Sequence, residues 1–158
     1  MLSTAWLLHN IGMNTSSQLS ASSDDLIRQS PAHRAVLSRL QALLPAENVI
    51  TDAAGLRPYE TDGLTAIREM PWVVVLPETE AQVADIVRCC AEHGVPIIPR
   101  GAGTGLSGGA RPHREGVVLG LSKMSVILEI DPENRIARVQ PGVRNLAITQ
   151  AAQAHGLY

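Results

Sequence analysis

Hydrophobic and polar positions sort this chain into a patternless start and a strongly patterned remainder. From Asn14 to Ser23 the sequence reads NTSSQLSASS, polar and without apolar period. Such a stretch buries too little surface to offset the entropy of ordering, so residues 1–29 are expected to form a disordered tail. Ser30 is placed to cap a helix with Pro31 at its first position, and Val36, Leu37, Leu40 and Leu44 recur at helical spacing until Pro45. A short extended piece follows at Val49 to Thr51. From Asp52 to Pro71 no period is visible, and this connection is expected to cross the surface. Residues 30–71 thus read as a helical N-terminal segment with an extended connection.

Beyond Trp72 the pattern sharpens. Val73 to Leu76 is a continuous apolar run, as in a buried strand. Thr79 and Gln82 have the spacing of a capping box, and Val83, Ile86, Val87 and Cys90 follow on one helical face that closes at His93-Gly94. Next come a strand from Pro96 to Arg100, a glycine-rich loop, and a strand from Val117 to Leu121. Two further strands, Val126 to Ile130 and Arg135 to Gln140, flank the turn Asp131-Pro132-Glu133-Asn134. Asn145 is expected to cap a last helix through Ala154, which ends at His155-Gly156. The prediction for 72–158 is an α+β unit. Strands near 73–76, 96–100, 117–121, 126–130 and 135–140 form one sheet, and helices near 79–93 and 145–155 cover one face. The first His-Gly step leads directly into a strand, whereas the second reaches Leu157-Tyr158. By that parallel the sequence is expected to be a fragment that stops short of a further strand.

Composition narrows the function. The 158 residues are 45% hydrophobic and 18% charged, with no Phe, so one domain with an aliphatic core is expected. A formal net charge of −2 without any Lys/Arg cluster excludes a nucleic-acid partner. Apolar runs such as Val73 to Leu76 are too short for a transmembrane segment, and the patch from Ala5 to Leu8 lacks the basic flank of a signal peptide. Cys89 and Cys90 are neighbours on a helix and point apart, which reads as two packed thiols in a reducing compartment. His93 and His155 each stand in the last turn of a helix before glycine, where the dipole and the αL position account for both residues. No ligand-spaced Cys, Asp or Glu accompanies them, so no metal site is expected. His9, His33 and His113 receive no role.

The segment Pro99 to Gly109, PRGAGTGLSGG, holds five glycines in eleven residues. Each costs conformational entropy, a cost that makes sense where backbone N–H groups must approach an anion closely. Gly103-x-Gly105-x-x-Gly108 matches the dinucleotide fingerprint, but that motif needs a helix opening at its last glycine. Arg111-Pro112 follows instead, and Gly116 precedes a new strand. Gly105-x-Ser107-x-Gly109 matches the nucleophile elbow of serine hydrolases, which requires a strand running into the serine and a helix leaving it. It stays as a rival. A Walker loop is excluded, since no Lys-Ser or Lys-Thr follows the glycines. A strand-loop-strand pyrophosphate cradle remains.

The stretch VVVLPETEAQVADIVRCCAEHGVPIIPRGAGTGLSGGA resembles the start of the FAD-binding domain of PCMH-type, vanillyl-alcohol-oxidase-like flavoproteins. Within that group, YETDGLTAIREMPW and LSKMSVILEIDPENRIARVQPGVRNLAITQAAQAHGLY are similar to the FAD-linked subunit of bacterial glycolate oxidase and its D-lactate dehydrogenase relatives. The resemblance implies an α+β fold, the first half of a PCMH-type domain with a mixed sheet and helices on one face. It implies FAD bound by Arg100, Gly101, Ala102, Gly103, Thr104, Gly105, Leu106, Ser107 and Gly108, with Pro77, Pro141 and Gly142 at neighbouring strand ends. Some members attach flavin through a histidine in this loop; Thr104 stands there, which implies non-covalent FAD. The implied reaction is oxidation of a small 2-hydroxy acid, glycolate or D-lactate, to the 2-oxo acid. Substrate-binding and catalytic residues belong to later parts of such chains, so no catalytic residue is assigned. Companion flavoprotein-like and iron-sulfur subunits are implied, as is a bacterial cytoplasmic location, peripheral to the inner membrane in some cases. A truncated, non-catalytic module is the alternative.

Overall fold

The protein is described here by a computed structural model covering residues 29–158. The expected tail over 1–29 lies outside the described residues except for Gln29. Helix α1 spans Pro31–Leu43, with the Ser30 hydroxyl accepting the His33 N–H at 3.3 Å and Pro31 in the first turn, where no donor is lost. Leu44 is already extended, and the chain turns through Ala46–Asn48 into the short strand β1, Val49–Ile50. A one-turn helix α2, Ala53–Leu56, opens with Asp52 capping the Gly55 N–H. The chain then runs as an irregular strap to Trp72.

Strand β2 is Val73–Val75, and helix α3, Glu80–Glu92, begins with the complete capping box of Thr79 and Gln82. After Gly94, in the left-handed region at φ +64°, come β3, Ile97–Arg100, and β4, Val117–Gly120. These form one mixed sheet in the order β1-β2-β4-β3, with β2, β4 and β3 parallel and β1 antiparallel at its edge. Alternate residues feed two cores. Val73, Val75, Val117 and Leu119 meet Val36 and Leu40 of α1, Leu44 just after it, and Ile86 and Cys90 of α3. Val74 and Val118 face Leu56, with Ile50, Tyr59 and Met70 around them. Burial on both faces explains why β2 is apolar at every position. A fully buried valine of this kind contributes roughly 1.5–3 kcal/mol.

The expected single sheet is two sheets. β5, Ile127–Asp131, and β6, Ile136–Val139, form a separate antiparallel hairpin. Strand order rules out the simplest pairing: β4 is enclosed by β2 and β3, so β5, which follows it in the chain, has no place beside it. The last helix, α4, spans Asn145–Ala152 and continues as a tighter turn to His155 before Gly156 at φ +70°. Arg144, without a side-chain bond, occupies the capping position expected for Asn145. α4 lies against β5, so α1 and α3 are the helices that cover one face of the main sheet. The connection from Asp52 to Pro71 does not merely cross the surface: Leu56, Asp62 and Pro71 are buried.

Candidate functional site

Three parallel strands end on the same edge of the sheet. After β2 comes Pro77, fully buried; after β3 comes the glycine loop; after β4 comes the turn Leu121 to Met124. Gly142 joins this edge by donating its N–H to the Met124 carbonyl at 2.8 Å, with exposed Pro141 beside it. Below them, Asn48 is fully buried and binds Glu78 at 3.0 Å and Lys123 at 2.5 Å, and Lys123 approaches Glu78 at 3.3 Å. This triangle ties the starts of the loops after β2 and β4 to the turn that leads into β1.

From Gly101 to Pro112 the chain forms bends and turns only, with no helix. The dinucleotide fingerprint and the nucleophile elbow both require one, so neither motif is realised. Ser107 is exposed and makes no hydrogen bond among the described residues. Gly103 and Gly108 take φ of +73° and +76°, which a side chain resists. At Gly101, Gly105, Gly108 and Gly109 a Cβ would meet nothing within 4 Å. Among the described residues, no main-chain N–H from Gly101 to Ser107 donates to a protein acceptor. Ala102, Thr104 and Leu106 are exposed along the same crest, and Leu106 projects with 72% exposure. Uncommitted N–H groups beside open glycine surfaces are what an anionic pyrophosphate requires.

Arg100 ends β3 beneath this crest. It is 9% exposed, donates from Nη1 to the Thr61 carbonyl at 2.7 Å, and lies over the Tyr59 ring with Cζ 5.5 Å from the centroid. Its fold contacts are therefore specific. They lead to a feature the hydrophobic pattern did not reveal, the strap from Tyr59 to Glu69 that crosses the loop. A Cβ on Gly63 would lie 2.6 Å from the Thr104 carbonyl oxygen and 2.8 Å from that of Gly105. At the other end Glu69 receives Arg111 at 3.3 Å and Arg114 at 3.2 Å. Burial of Glu69 works against its charge, but the two guanidinium groups outweigh it and hold the carboxyl below the usual carboxylate range. Asp62, 5% exposed, accepts the Leu64 N–H at 2.9 Å through Oδ1.

His33, given no role from sequence, is also buried. Its Nε2 is 3.0 Å from the Glu115 carbonyl, and its ring meets Trp72 edge-on at 4.5 Å. Cys89 and Cys90 are free and buried, as the helical pattern implied. No helix among the described residues is long and apolar enough to cross a membrane.

Comparison with known proteins agrees with this geometry. The family model of the FAD binding domain matches residues 71–158. The glycolate oxidase subunit GlcD of Escherichia coli (strain K12) is 49% identical over 123 residues, covering 78% of this chain and 25% of that protein. A D-lactate dehydrogenase of Archaeoglobus fulgidus is 43% identical over 122 residues, covering 77% of this chain and 27% of its own. Among solved structures, p-cresol methylhydroxylase with substrate bound superposes with a TM-score of 0.71 at 32% identity, over 80% of this chain and 25% of that one. The chain thus spans about a quarter of the length of the curated relatives it matches. A helix-free glycine crest, its uncommitted donors and a family match that includes it lead to one assignment: the chain belongs to the FAD binding domain family, and its cofactor is FAD.

Proposed function

We propose that this chain is the FAD-binding portion of an oxidoreductase that oxidises a small 2-hydroxy acid, glycolate or D-lactate, to the 2-oxo acid. The similarity to a glycolate oxidase subunit and to a D-lactate dehydrogenase supports the substrate class. When bound, the flavin supplies the acceptor for the hydride of the alpha carbon. This chain's own residues bind and orient it. The N–H groups from Gly101 to Gly105, with Ala102 and Thr104 between the glycines, take the two phosphates, and the Ser107 hydroxyl adds a donor. Gly108 turns the chain back, Leu106 meets the cofactor from the exposed crest, and Arg100 supports the loop from below. Pro77, Pro141 and Gly142 wall the neighbouring strand ends. Thr104 offers no imidazole for a covalent link, so the flavin is held non-covalently. We assign no catalytic residue to this chain. Residues 30–71 and 72–158 act together as the N-terminal part of the enzyme. It works in the bacterial cytoplasm or at the inner membrane surface, with flavoprotein-like and iron-sulfur companions.

The observation that carries this reading is the run of donors without protein acceptors beside glycines whose missing Cβ faces open space. Gly105 separates ligand binding from folding, because a Cβ there would meet no protein atom within 4 Å. Gly105→Val in the full-length protein is expected to abolish flavin absorbance per chain and to leave the apoprotein thermal midpoint unchanged. Ser107→Ala is expected to remove one hydrogen bond, about 1.5–3 kcal/mol, and to keep substantial flavin. Full flavin in Gly105→Val refutes the cradle. Failure of the flavin-loaded wild type to oxidise glycolate or D-lactate refutes the substrate class.

A further inference from the structure

The strap meets the glycine loop on both sides of a single residue. The Thr61 carbonyl takes the Arg100 N–H, and Gly63 rests on the carbonyls of Thr104 and Gly105. Asp62 lies between them. Its Oδ1 is bound to the Leu64 N–H, while its enclosed Oδ2 has no hydrogen-bond partner among the described residues. A carboxylate oxygen held away from water without a donor is among the costlier arrangements a fold can keep. The facing loop has the opposite deficit, since the N–H groups of Gly101 to Gly105 donate to no protein acceptor. Two segments in contact therefore carry a buried acceptor without a donor and donors without an acceptor. The loop has no helix or strand bonds to fix its peptide planes, and three of its five positions are glycine.

We propose that Asp62 is a positioning residue for the anion loop. Its Oδ2 accepts one main-chain N–H of the Gly101–Gly105 stretch when that stretch closes on the FAD pyrophosphate. Pinning one peptide plane aims its neighbours at the phosphate oxygens. A carboxylate makes the strong, charge-assisted form of this bond. The Arg100 guanidinium, bonded to the carbonyl of the adjacent Thr61, places a cation against the same strap. The inference rests on the pyrophosphate-cradle reading of the loop.

The test uses the full-length apoprotein, titrated with FAD, together with amide hydrogen exchange over the peptide containing residues 101–107. Asp62→Leu keeps the branched shape, somewhat enlarged, without any acceptor, and Asp62→Asn keeps a neutral one. Asp62→Leu is expected to weaken FAD binding about tenfold or more, with one fewer loop amide protected in the FAD complex. Asp62→Asn should recover part of both, and because it is the mild change it carries the test alone should Asp62→Leu not fold. Wild-type affinity and amide protection in Asp62→Asn overturn the proposal. So does lower apoprotein stability with unchanged FAD affinity in either variant. FAD binding by the wild type without any slowing of exchange at 101–105 overturns the cradle reading itself, a result distinct from failure of Asp62 alone.

Discussion

The guanidinium of Arg100 occupies the place a Cβ on Gly103 would need: that atom would fall within 2.7 Å of Nε and closer still to Cζ and Nη2. Gly103 is therefore glycine for two separable reasons, its φ of +73° and the arginine under it. Gly103→Ala is expected to destabilise the protein by the αL cost, roughly 1–2 kcal/mol, plus the displacement of Arg100. Arg100→Ala by itself loses the Thr61 bond and the Tyr59 contact, about 1–3 kcal/mol together. In the double variant the clash disappears and the φ cost remains, so the two losses should be less than additive. Thermal or denaturant unfolding of the four proteins measures the coupling, and strict additivity would show that the two residues act independently.

Glu69 makes strap docking pH-dependent. Its carboxyl lies below its ordinary value of 4.5 in the folded protein, so its contribution is fully present above that value. It is lost as pH falls through the lower, folded-state pKa. Glu69→Gln should therefore lower the thermal midpoint at neutral pH and flatten its decline on the acid side. Parallel melting curves for the two proteins across that window would remove Glu69 from the account.

Gly142 is predicted to be intolerant of any side chain for a reason unrelated to its backbone angles. A Cβ there would meet the carbonyl oxygens of Leu121, Met124 and Ser122, the last at 3.0 Å. Main-chain oxygens cannot rotate away as a side chain can. Gly142→Ala should cost about 1–3 kcal/mol, in the range of other overpacked sites, and should loosen the hairpin more than the main sheet. Amide exchange in β5 and β6 against that in β2 and β4 reads the difference.

The neighbouring thiols should be inert. Burial, with Cys89 alongside, pushes the Cys90 thiol up to about 11, and burial followed by Glu92 raises that of Cys89 as well. Since the thiolate is the nucleophile, alkylation near pH 8 should be slow at both until the protein is unfolded. Rapid labelling of the native protein at either position would contradict the packing of α3 on the sheet.

How far the sequence could be read follows from the range of the interactions. Thr79 with Gln82, Ser30 with Pro31, and the valine run of β2 announce themselves within a few residues, and all three stand as read. The glycine loop was legible because its density had no other use. The strap was not, since its residues are placed by partners far along the chain. Thir partners are Arg100 for Thr61, 39 residues on, and Arg111 and Arg114 for Glu69, 42 and 45 residues on. His33 likewise depends on Glu115, 82 residues away. The single-sheet expectation failed for a related reason. A period of two identifies a strand but says nothing of its partner, and β4 was already enclosed by β2 and β3.

Helix α1 lies outside the family match but inside the core. The family match begins at residue 71, yet Val36 and Leu40 are 0% exposed within the same core as Val73 and Val117. The segment matched by the family model is thus shorter than the segment that builds this core. A graft of residues 71–158 into another scaffold would leave the sheet unroofed along α3. Any chimera exchanging this cofactor module must bring the chain from Ser30, or supply a foreign helix to replace it.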